Sequence, residues 1–143
     1  MDITFEEWKK EYLDDIHLNA QIDGSLPEEY FLAETVDKLT SMGELVDPRI
    51  IPMQKRCRNN RVMSLDGYCF DESDKSVVLF SCDYKDSFGV NLTKTDIDTI
   101  MQRMLNFLQE AYDGNLGDYF DITDEMLVVG RDIGRRMKID YVD

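Results

Sequence analysis

Two hydrophobic periods share this chain, one of helices and one of strands. Phe5, Trp8, Tyr12 and Ile16 recur at three- and four-residue spacing, with Leu13 beside them, which predicts a helix to about Asn19. Thr4 and Glu7 ahead of that face have capping-box spacing, a hydroxyl and a carboxylate that satisfy free amides at a helix start. Ser25, Pro27 and Glu28 predict a second start. The stripe Phe31, Leu32, Thr35, Val36, Leu39 and Met42 then runs to a stop at Gly43. After Asp47-Pro48 the helical period is lost. Residues 49–60 mix Ile50 and Ile51 with cations, a short strand or an irregular approach, and Asn59-Asn60 marks a turn.

The strand period follows. In residues 62–70, Met63, Leu65 and Cys69 take one side and Ser64, Asp66 and Tyr68 the other. The acidic turn DESDK separates that run from VVLFSC at 77–82, which is apolar on both faces and therefore expected at the centre of a sheet. Ile97, Ile100, Met101, Met104, Leu105, Leu108 and Ala111 restore the helical period, opened by Thr93 or Thr95 and closed by Asp113-Gly114. Leu116, Tyr119 and Phe120 suggest a brief edge strand. Thr123 then opens a last helix with Met126, Val129, Ile133 and Met137 on one face. Gly130 and Gly134, one turn apart, leave room there for a close neighbour. Residues 139–142 alternate like the start of another strand. The order predicts an α/β fold, a central mixed sheet with a core hairpin at about 62–84 flanked by helices. One domain is expected, the first module of a longer chain.

Composition narrows the class. The 143 residues are 43% hydrophobic and 32% charged, which fits a globular chain with one real core. No apolar run reaches membrane-spanning length and the first residues lack a signal peptide's basic and apolar parts, so a cytoplasmic protein is expected. Cys57, Cys69 and Cys82 form no paired framework, and with His17 as the one imidazole they offer no structural zinc set. Cys69 and Cys82 are expected as small buried hydrophobes.

The net charge of −14 is uneven. Residues 1–48 carry 13 acids against 3 bases, whereas residues 49–63 carry 5 bases and no acid. That island, Arg49, Lys55, Arg56, Arg58 and Arg61, is placed either to touch nucleic-acid phosphates or to neutralise the surrounding acids. Nucleophile motifs with a histidine base and phosphate-cradling glycine loops are missing from the sequence. Asp66 on the first hairpin strand and Asp83-Tyr84-Lys85 after the second have the layout of a magnesium-dependent nuclease centre. The two carboxylates would hold Mg²⁺ through hard oxygens, Lys85 would orient water, and Glu34 or Glu44 would add an acid. The alternatives are a solvated set of charges on a non-catalytic interaction domain that self-associates through an exposed helix, and an acidic surface that imitates nucleic acid.

Gly43-Glu44-Leu45 closing a helix, Asp66-Gly67-Tyr68, Phe70-Asp71-Glu72, Val78-Leu79-Phe80 with Asp83, the helix opening at residues 92–97 and Phe107-Leu108 form one pattern of short pieces. Over about residues 25–140 the chain resembles the N-terminal domain of the bacterial abortive phage infection proteins called AIPR. The resemblance implies phage defence and a restriction-endonuclease-like PD-(D/E)xK fold. Its acids would be Glu44, Asp66 and Asp83 and its lysine Lys85, with Mg²⁺ on Asp66 and Asp83. Two departures stand out: no proline precedes Asp66, and Asp83-Tyr84-Lys85 falls at the end of its strand.

Overall fold

The computed structural model describes residues 3–84 and 92–140. It divides into two compact units: residues 1–45 with 82–93, and residues 46–81 with 94–143.

The first unit is built on two helices. Helix α1, Phe5–Asp23, starts with the predicted capping box: Glu7 N–H donates to Thr4 Oγ1 at 3.1 Å, and Thr4 N–H to the Glu7 carboxylate at 3.1 Å. It runs four residues past Asn19 and stops at Gly24, whose φ of 72° suits a residue without a side chain. Helix α2, Pro27–Ser41, packs against it. The expected Ser25 cap is replaced by Leu26, which makes no side-chain cap, so Pro27 opens the helix without one. Leu13, Ile16, Ala20, Leu32 and Val36 are buried, but Phe5 and Trp8 are 67% and 49% exposed.

The second unit holds the sheet. Strands β1 (Arg49–Arg56), β2 (Val62–Asp71) and β3 (Ser76–Phe80) lie in sequence order. Both pairings are antiparallel, where the sequence pattern implied a mixed sheet. Short turns dictate this outcome, since a parallel partner needs a long crossover. Cys57 N–H donates to the Arg61 carbonyl at 2.8 Å across the first turn, with Asn59 and Asn60 left-handed at φ of 58° and 61°. In the second turn, Asp71 accepts from the amide and hydroxyl of Ser73, and Asp74 from those of Ser76.

The central strand is β2, not the more apolar β3. Along β2, Met63, Leu65, Gly67 and Cys69 are buried and Ser64, Asp66 and Tyr68 are half-buried, in the predicted alternation. Every residue of β3 is half-buried because it lies at an edge. Cys82 follows that strand and is likewise half-buried, unlike the buried Cys57 and Cys69. The register of β1 on β2 shifts between Ile50 and Met53, around Pro52, which has no amide to give the ladder. Gly67 is sandwiched there. A side chain on it would fall on the Phe80 ring and the Arg49 carbonyl.

Helix α3 (Lys94–Asp113) packs on β2, and α4 (Glu125–Asp140) packs on α3. The Asp124 carboxylate, one residue after the predicted Thr123, accepts the Met126 amide at 2.9 Å. The glycine pair does what its spacing predicted. A side chain at Gly134 would strike the Ala111 carbonyl, and one at Gly130 the Leu116 side chain. The core gathers Met63, Leu65, Phe107, Ala111, Leu116, Phe120, Leu127 and Ile133. Residues 116–120 contribute to it from a 3-10 turn, Leu116–Asp118, and not from the expected edge strand. Their three- and four-residue spacing is that of a helical turn. At the chain's end, helix α4 continues through Asp140 where an incipient strand was expected; residues 141–143 lie outside the described residues.

Candidate functional site

Asp66 sits in the middle of β2 with its side chain half-buried, on the side opposite Leu65. Asp83 follows β3 and is half-buried; Glu44 is exposed in the turn after α2. Glu44 and Asp83 belong to the first unit and Asp66 to the second. Lys85 lies outside the described residues. Glu34, the other candidate acid, is committed locally, pairing with Lys38 one turn along α2 at 2.9 Å. Among the described residues, no group of three or more His, Cys, Asp or Glu side chains is gathered in a way that would hold a metal ion.

The basic island folds back onto its own unit. Lys55 Nζ lies 5.3 Å from the Phe120 ring centre, and Arg56 donates to Asn60 Oδ1. Arg58 reaches Asp118 at 3.3 Å. Arg49 is exposed at the start of β1.

Arg61 anchors a buried polar cluster that sequence patterning does not reveal. Its guanidinium contacts Glu110 Oε1 and Asn106 Oδ1, each at 3.5 Å, and its Nε donates to the Arg58 carbonyl at 3.2 Å. Glu110 is 1% exposed and Asn106 4%, two polar residues on the buried side of α3. The other Glu110 oxygen accepts from Tyr119 Oη at 3.3 Å. Asn106 donates to the Val62 carbonyl at 2.8 Å and accepts from Gln102 at 2.9 Å. Each buried polar group thus has partners, as burial requires. Burial pushes the neighbouring Cys57 thiol above its ordinary pKa, and the Glu110 charge adds to the shift. Neutral, buried Cys57 is a packing residue and a poor nucleophile. The only available signal was the i, i+4 spacing of Asn106 and Glu110 beside Phe107 and Ala111.

Two apolar surfaces complete the inventory. On α3, Ile97, Met101 and Leu105 form a row at four-residue spacing and are 46%, 51% and 51% exposed. On the first unit, Phe5, Trp8, Tyr12, Phe31 and Tyr84 form a continuous series of ring contacts with centroids 5.1 to 6.4 Å apart. No described helix is long and apolar enough to cross a membrane.

Residues 31–140 match the model of a family described as the abortive infection phage resistance protein N-terminal domain. No curated protein and no solved structure matches the chain.

Proposed function

Since the chain belongs to the family of abortive infection phage resistance protein N-terminal domains, an anti-phage module, we propose that it acts there as a cytoplasmic self-association module through α3. The observation that carries this reading is the exposed row Ile97, Met101 and Leu105. A row at this spacing on a 20-residue helix is a ready ridge for packing against a second helix. Two copies related by a two-fold axis would bring the same row together antiparallel. The whole chain carries −14, but Lys94, Asp96, Asp98 and Arg103 balance along residues 94–105, so the row adds no charge barrier of its own. Light scattering should then give a mass that rises toward twice the monomer with concentration, and Met101→Asp should hold it at the monomer. A wild-type mass that stays monomeric at every concentration ends the self-association reading.

A magnesium-dependent nuclease of restriction-endonuclease-like type is the second reading, favoured by Asp66 on the central strand opposite Leu65. Asp66 and Asp83 would be the hard-oxygen ligands, with Lys85 and Glu44 beside them. The ion would supply charge neutralisation at a phosphoryl group. In this reading Arg49 and the cations from Lys55 to Arg61 would meet nucleic-acid phosphates. Asp83→Ala and Lys85→Ala should abolish Mg²⁺-dependent nicking of DNA or RNA without lowering thermal stability; no cleavage by wild type at millimolar Mg²⁺ removes this reading.

A further inference from the structure

An open cleft of about 580 Å³ runs beside the first half of α3, in the second unit. Arg61, Asp98, Thr99, Gln102, Arg103 and Asn106 are among the residues that line it. In a chain of net charge −14 this wall carries two guanidinium groups against one carboxylate.

The two arginines differ in a telling way. Arg61 is fixed by Glu110, Asn106 and the Arg58 carbonyl, yet its side chain remains 40% exposed. Three of its five N–H groups are engaged, leaving two to donate into the cleft. The buried Glu110 carboxylate behind it sets where that charge points. Arg103 is half-buried and has no hydrogen bond or ion pair among the described residues. Its guanidinium, held by no described protein group, is open to an anion that enters the cleft. Thr95 and Thr99 add hydroxyls on the same wall, and Gln102 adds an amide.

We propose that this cleft binds a small phosphate monoester of a ribose, a mononucleotide or a sugar phosphate, with Arg103 and Arg61 on the phosphate. A dianionic phosphate offers three strong acceptor oxygens, and paired guanidinium forks supply the donors they need. Asp98, the one acceptor carboxylate in the cleft, has no partner among the described residues and would accept from sugar hydroxyls. It lines the same cleft as Arg103, five residues earlier on α3. The volume lies within the roughly 300–1,000 Å³ of small-molecule sites and is larger than a bare anion needs. The chain's overall negative charge does not forbid this, because charges beyond about 8–10 Å are largely screened at physiological salt.

The test titrates the 143-residue protein with AMP, ribose 5-phosphate, inorganic phosphate and adenosine, followed by amide NMR shifts and calorimetry. AMP and ribose 5-phosphate should bind saturably, with the largest shifts at Thr99, Gln102, Arg103 and Asn106, and adenosine should not bind. Arg103→Ala should weaken AMP at least about tenfold, the loss expected for a charged hydrogen bond. Its melting temperature should stay unchanged, since the native side chain holds nothing in place. Thr99→Val, which removes only a hydroxyl, should weaken AMP by a smaller factor. The assignment is overturned by equal affinity of Arg103→Ala, by adenosine binding as tightly as AMP, or by no saturable shift at millimolar AMP. Inorganic phosphate binding as tightly as AMP would overturn the ester. A single-stranded RNA that shifts Arg49 and Lys55 more than the cleft would overturn the small-molecule site.

Discussion

The two units solve the problem of burying apolar surface in opposite ways. In the second, an antiparallel sheet and two stacked helices enclose Met63, Phe107 and Ile133 completely, and even a carboxylate, Glu110, is taken inside with its partners. In the first, two helices bury Leu13, Ile16, Ala20, Leu32 and Val36, while the large rings Phe5 and Trp8 stay exposed and touch one another. Charge follows the same division. Sequence residues of the first unit sum to −10 and those of the second to −4. Three layers can surround a side chain, whereas a helix pair offers each residue one neighbour. The contrast teaches that aromatic content is a poor guide to where the core lies.

Mutations can break that contrast, and the deepest side chain comes first. Phe107→Ala should cost about 3–5 kcal/mol, the usual range for emptying a buried ring, whereas Trp8→Ala should cost about 1 kcal/mol or less. Urea unfolding followed by circular dichroism measures both, and equal losses would refute the division. Gly134→Ala should cost about 1–3 kcal/mol, because the added carbon meets backbone at Ala111 and cannot push it aside cheaply. Gly24→Ala, which meets no neighbouring atom but holds a left-handed φ, should cost only about 1 kcal/mol. Thr4→Ala removes half of a capping box and should take about 1 kcal/mol from the first unit, seen as faster amide exchange over the first turn of α1.

A pH series gives the smallest effect. Hydrogen bonds from the Ser73 hydroxyl and amide hold the exposed Asp71 carboxyl below its ordinary pKa. A group lowered on folding contributes stability above its unfolded pKa and loses it as pH falls through the folded value. Asp71→Asn should therefore flatten stability slightly in acid, below the ordinary carboxylate range, and leave it unaffected by pH above neutrality.

Much of this layout was written in local pattern. The Thr4 and Glu7 box, the α3 stripe, the β2 alternation and the Gly130 and Gly134 approach each depend on neighbours a turn or two away. Where the outcome depends on distant chain, the sequence misleads. VVLFSC looks central because it is apolar throughout, yet whether a strand has one neighbour or two is set by the whole topology. β1 was ambiguous because its inward face is only Ile51 and Met53, half-buried against the core, in a strand with cations at both ends. Leu116, Tyr119 and Phe120 read as a strand when taken singly but fit one helical turn when taken together. The candidate site was legible only as a list of residue types. Glu110 stayed hidden because nothing in α3 alone says that Arg61 and Tyr119 will come to meet it.

Trp8 is the chain's single tryptophan, and it stands on the surface of α1, stacked on Phe5 and Tyr12. Its emission therefore samples one exposed helix face, while Phe107 and the sheet carry no such chromophore. A denaturation curve recorded by tryptophan fluorescence would follow the ordering of that face and be nearly deaf to the core. A protein judged folded by that signal alone would be judged by its rim.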